Sequence, residues 1–163
     1  MAGAKIKKNI EKAVKDLADE LFKKLKIEAQ IEVLKEKEEQ EEEKGEHYIL
    51  NINTEESGLL IGRHGETLNS IQLLFGLMLF HKLGEWHHVI LDVGGYRKAR
   101  EESIREMVEK IAAQVQESGE PVVLPYLSPL ERRIVHLMLT ESESVVSESS
   151  GEGRERRVTI KPK

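Results

Sequence analysis

The sequence contains no cysteine, which excludes a disulfide framework and any thiolate-bound metal. Aromatic residues make up only 4% of its 163 positions, so few rings are available to stack on bases and the affinity of any nucleic-acid site should be modest. No apolar run approaches the roughly 20 residues needed to span a bilayer, and the Met1-Ala-Gly-Ala start lacks the apolar core of a secretory leader. A reducing cytoplasm is the default compartment for such a chain. Positive charge is also in deficit. Lys and Arg number 25 against 30 Asp and Glu, a net charge of −5, which counts against a uniformly basic nucleic-acid binder because counterion release needs cations gathered against phosphate. Any polyanion site must therefore be local.

What is present is charge, at 34% of residues, and it is unevenly placed. Lys5, Lys7, Lys8, Lys12 and Lys15 gather at the start, and Arg154, Arg156, Arg157, Lys161 and Lys163 at the end. Much of the acid lies in residues 36–46, which hold no apolar side chain. The length suits one ordinary domain or two small ones.

Ile10, Val14, Leu17, Leu21 and Leu25 recur at spacings of three and four, predicting an amphipathic helix over residues 5–25. Ile27, Ala29, Ile31 and Val33 then alternate with polar neighbours as in a half-buried strand. Residues 36–46 read as a solvated hairpin tip, followed by a second, antiparallel strand with Tyr48, Leu50 and Ile52 on one face. A short apolar stretch, Leu59-Leu60-Ile61, precedes Gly62 and Gly65. Residues 66–82 carry Leu68, Ile71, Leu74, Phe75, Met78 and Leu79 at helical spacing and read as the main buried helix. Residues 86–93 return to β-rich composition, a third strand ending at Gly94-Gly95, the expected domain boundary. Residues 96–117 form a long helix with Tyr96, Ile104, Met107, Val108, Ile111 and Val115 on one face, stopped by Gly119 and Pro121. A short strand at residues 122–124 leads to Ser128-Pro129-Leu130-Glu131, which combines an N-cap, a proline at the first helical position and a capping-box acid. The Ser- and Glu-rich tail looks low in complexity, yet Val145, Val146, Val158 and Ile160 flank a Ser149-to-Gly153 turn as strands flank a hairpin.

Two features carry chemistry. In Leu60-Ile61-Gly62-Arg63-His64-Gly65, a glycine can take a left-handed conformation, and the missing side chains let a nucleic-acid backbone approach the amides that open the next helix. Arg63 adds a charge and His64 a donor. In Arg132-Arg133-Ile134-Val135-His136, Arg132 and His136 stand four apart on one helix face, where a guanidinium can meet phosphate and an imidazole can hydrogen-bond or stack on a base. Each feature alone has a plain structural reading, a tight turn and a charged helix surface.

In context they are more specific. The order of elements together with Ile61-Gly62-Arg63-His64-Gly65 resembles a KH domain of the second topological type, α-β-β-α-α-β with a three-stranded sheet packed on helices. That resemblance implies a clamp on about four nucleotides. Gly62, Arg63, His64 and Gly65 would hold the backbone, and Leu60, Ile61, Leu68 and an edge strand would wall a groove. Pro121-Val-Val-Leu-Pro125, Ser128 through His136 and the Arg-rich final strand resemble the R-three-H domain, named for its Arg-x-x-x-His signature, a small α/β domain that binds single-stranded nucleic acid. It implies roles for Arg132, Arg133 and His136, with Arg154, Arg156 and Arg157 as a supporting basic strand. The expected fold is thus α+β, a KH domain over residues 1–94 followed by an R-three-H domain over 95–163. The pairing, with Leu91-Asp92-Val-Gly-Gly-Tyr96-Arg97 at the junction, resembles the bacterial Jag family, also called KhpB. Many Jag proteins begin with an extra domain and a linker, which this chain is expected to lack. The resemblance implies binding of single-stranded RNA, with single-stranded DNA left open, RNA-chaperone-like regulation, links to cell shape and envelope growth, and a small single-KH partner protein. Homo-oligomerisation also stays open.

Catalysis is not expected. His81, His87 and His88 offer no His-Glu-x-x-His pattern, and adjacent histidines on a strand point to opposite faces, so no metal site or cofactor follows. Residues 62–67 lack the Gly-Lys-Ser/Thr ending of a nucleotide P-loop. The rival reading is a protein-interaction adaptor that keeps the glycine loop as a vestige.

Overall fold

A computed structural model describes residues 2–37 and 46–163, with side chains from residue 10 to 35 and from residue 47 onward. The chain divides into two compact units, Met1–Tyr96 and Arg97–Lys163. In the first, α1 (Ala2–Leu25) leads to β1 (Gln30–Lys37), β2 (Glu46–Asn53), α2 (Ser57–Ile61), α3 (Glu66–Leu83) and β3 (His88–Val93). This is the expected order. The sheet runs β1-β2-β3, with β1 and β2 antiparallel and β2 and β3 parallel. The expected hairpin tip lies mostly outside the described residues. Alternation along β2 sends Tyr48, Leu50 and Ile52 into the core at 1% exposure or less, where they meet Val14, Phe22, Phe75, Leu79 and Leu91.

Several expectations change. Leu25, the last residue of α1, is half exposed, and so is Leu74, because the buried stripe of α3 is narrow, centred on Leu68, Phe75 and Leu79. The opposite side of α3 leaves Leu73 and Leu77 exposed to solvent. The third strand starts at His88, two residues later than expected. Gly84, at φ 76°, ends α3 in a left-handed cap, and Glu85-Trp86-His87 form the connection. Tyr96 packs on the first core instead of joining Ile104 and its neighbours.

The second unit holds most of α4 (Tyr96–Ser118), then β4 (Val122–Val123), α5 (Pro129–Leu139), β5 (Val145–Ser150) and β6 (Arg157–Pro162), with strand order β4-β6-β5. The low-complexity tail is folded. β5 and β6 pair antiparallel from Val145↔Pro162 to Ser150↔Arg157. Ile104, Val108 and Val115 of α4 and Val135 of α5 share a core with Leu124, Leu127, Val145, Val158 and Ile160. The α5 capping box forms as read: the Glu131 amide donates to Ser128 Oγ at 3.3 Å, and the Ser128 amide donates to Glu131 Oε2 at 2.6 Å. The same carboxylate is buried and accepts from Arg100 Nε at 2.8 Å. Among the described residues, no helix is long and apolar enough to cross a membrane.

Candidate nucleic-acid interface

In the first unit, the connection from α2 to α3 is built on unusual backbone. Gly62 (φ 69°), His64 (φ 53°) and Gly65 (φ 79°) all have positive φ. A Cβ added at Gly62 would fall 2.0 Å from Thr67 Oγ1 and 2.6 Å from Thr67 Cβ, so the chain tolerates only glycine there. Gly62→Ala is therefore expected to cost about 2 kcal/mol of stability in the first unit, read as a lowered urea midpoint. An unchanged midpoint would contradict this account of the turn. Gly65 is buried, and a Cβ there would lie 3.0 Å from the Tyr96 ring, so Tyr96 props the loop from beneath.

Gly65 is also the N-cap of α3 and offers no side chain to the first-turn amides, which leaves the positive end of that helix dipole without a side-chain cap. Arg63 is exposed beside it, and His64 is half-buried. Of the three residues expected to wall a groove, Leu60 and Leu68 are in the core at 2% and 1% exposure. They hold the loop in place from below, and Ile61 keeps some exposed surface.

In the second unit, α5 and the end of the β5–β6 hairpin enclose a shallow cavity of 350 Å³ lined by Arg132, Arg133, His136, Leu137, Ser149 and Arg156, among others. The two signature residues have internal partners. Arg132 Nη1 donates to the Leu127 carbonyl at 2.9 Å. His136 holds Ser147 Oγ at Nδ1 and Ser149 Oγ at Nε2, both at 2.7 Å, because residues two apart on β5 present the same face. A hydroxyl can donate or accept, so the pair of serines suits either tautomer. Arg133 and Arg156 are exposed. Of the expected basic strand, only Arg157 lies in β6. Its guanidinium sits 5.6 Å from the Tyr126 ring centroid, while Arg154 belongs to the short turn Gly153–Glu155.

The histidine contact that forms is one the strand pattern alone did not reveal. His47 and His88 are register partners on β2 and β3, and their Nδ1 atoms meet; His87 precedes the strand. Among the described residues, no group of three or more His, Asp or Glu is placed to hold a metal. Sequence reasoning also missed the loop-supporting role of Tyr96 and the serine pair around His136. The Ser-x-Ser spacing was a visible signal for the latter, once β5 had been read as a strand.

Comparison with known proteins assigns residues 11–92 to the family described as KhpA/KhpB, KH domain, and residues 102–162 to the R-three-H domain. A protein of Clostridium symbiosum named RNA-binding protein KhpB is 35% identical over 111 residues, covering 68% of this chain and 50% of that protein. Proteins of the same name from Lactiplantibacillus plantarum and Bacillus subtilis are 33% and 32% identical, covering 68% and 69% of this chain but 34% and 55% of theirs. The chain thus aligns with about half, or less, of the length of these relatives.

Proposed function

The chain belongs to the KhpA/KhpB family of KH-domain proteins and carries an R-three-H domain after its KH domain, and from that premise we propose that it binds single-stranded RNA without altering it chemically. The observation that carries the reading is local cation placement in a chain of net charge −5. Arg63 stands at the start of α3, which has no side-chain cap, and Arg132, Arg133 and Arg156 surround one cavity. Gly62, Arg63, His64 and Gly65 hold phosphate at the first site. At the second, Arg133 and Arg156 meet the strand while Arg132 and His136 fix the shape of the cavity. RNA binding would place the protein in the cytoplasm. The relatives' printed name, RNA-binding protein, supports the same reading.

The test is equilibrium binding of labelled single-stranded RNA, single-stranded DNA and duplex RNA across a salt series. Saturable binding of the single strand, weakening as salt rises, is expected; no binding at low salt would end the proposal. Arg133→Ala with Arg156→Ala should cost about tenfold in affinity for strands long enough to reach both units and much less for strands of about four nucleotides. Equal losses on both lengths would show that the cavity is not a second site. A protein-adaptor reading draws on the leucines that α3 exposes, and the closing experiment of the next subsection separates the two.

A further inference from the structure

We infer that Trp86, stacked on Phe80, is a base-stacking platform that extends the RNA site of the first unit beyond the glycine loop, an inference that rests on the RNA-binding reading above. Trp86 is the one tryptophan of the chain and is 63% exposed. Its ring lies on Phe80 with centroids 4.8 Å apart and planes at 21°, so Phe80 backs one face of the indole.

Three residues place this stack on a particular side of α3. Gln72 Oε1 accepts from the Leu91 amide of β3 at 3.1 Å, marking the side of the helix that meets the sheet edge. Gly76, one turn further along, shares that side, and a Cβ there would lie 3.6 Å from Trp86 Cζ3. That distance is ordinary van der Waals contact, so the indole lies against this side of the helix.

Phe80 is fourteen positions from Glu66, so a strand leaving the loop has to run about 21 Å along α3 to reach the platform. Electrostatics favours that path. Residues 67–84 contain no Asp or Glu, although the chain holds 30 acids. An indole face stacks on any nucleobase, so the platform is expected to add length and affinity without strict sequence preference.

The experiment uses the full chain with a single-stranded oligouridine of about twelve nucleotides and reads two signals. One is the intrinsic emission of Trp86, and the other is the anisotropy of end-labelled RNA. The platform predicts quenching that saturates along the anisotropy curve, about tenfold weaker binding for Trp86→Ala, and retention of most affinity by Trp86→Phe. RNA binding with unquenched emission and an unchanged Trp86→Ala affinity would overturn the platform and leave the glycine-loop reading intact. Absence of anisotropy change in the wild type would overturn both. If Trp86→Ala leaves RNA affinity alone but changes the sedimentation coefficient, the aromatic pair serves protein docking and the platform is wrong.

Discussion

Replacing Arg63 and His64 together by aspartate is expected to weaken single-stranded RNA binding about a hundredfold, because each position changes from a phosphate-favouring group to an anion that repels it. The variant isolates binding from folding. Arg63 is exposed, and aspartate tolerates the left-handed backbone of His64 better than most residues, so thermal stability should stay close to that of the parent. A second readout is the salt dependence. Loss of the cationic phosphate contact at Arg63 should lower the slope of log K against log salt by about 0.7. A fall in affinity with an unchanged slope would mean that the loop acts through shape alone, against the electrostatic role assigned here.

The largest effect on stability is expected from Glu131→Ala. The Glu131 carboxylate closes the capping box at Ser128 and takes the Arg100 guanidinium, with side chains only 9% and 25% exposed. Its removal leaves the Ser128 amide without that acceptor and strands a half-buried cation. The cost should be about 3 kcal/mol, part of it cap loss and part an uncompensated charge. For a unit of this size that lowers Tm by roughly 15 °C, measurable by calorimetry. Glu101→Ala provides the contrast. Glu101 pairs with Arg105 one turn away, both about half exposed, and its loss should cost under ~0.5 kcal/mol. Similar costs for the two variants would contradict the distinction between a buried, twice-used carboxylate and a solvated pair.

The fold was legible where local pattern and tertiary packing agree. Alternation in Tyr48-Ile-Leu50-Asn-Ile52 and the Ser128-Pro129-Leu130-Glu131 cap each specify their element within a few residues, and both form as read. Legibility failed where the answer depends on which strand lies beside which. The His47–His88 meeting follows from a parallel register between β2 and β3, separated in sequence by two helices, and no local period encodes it. Leu74 and Leu77 illustrate a second limit. Helical spacing marks α3 as apolar nearly all round, and only the packed structure shows that one side faces solvent.

The candidate sites were legible as motifs and less so as roles. The glycine pair at 62 and 65 announces a tight turn, but the need for glycine at 62 comes from Thr67, which the motif does not include. The Arg132 and His136 spacing announces a shared helix face, whereas their engagement by Leu127, Ser147 and Ser149 shifts the exposed contacts to Arg133 and Arg156.

The central claim, RNA held at two local sites on an otherwise acidic protein, is tested most directly by ultraviolet crosslinking of the full chain to single-stranded RNA, with the attached peptides mapped by mass spectrometry. The account predicts crosslinks within residues 59–68 and within residues 129–137 or at Arg156. Crosslinks confined to other surfaces, or none at concentrations where a binding signal is present, would contradict it.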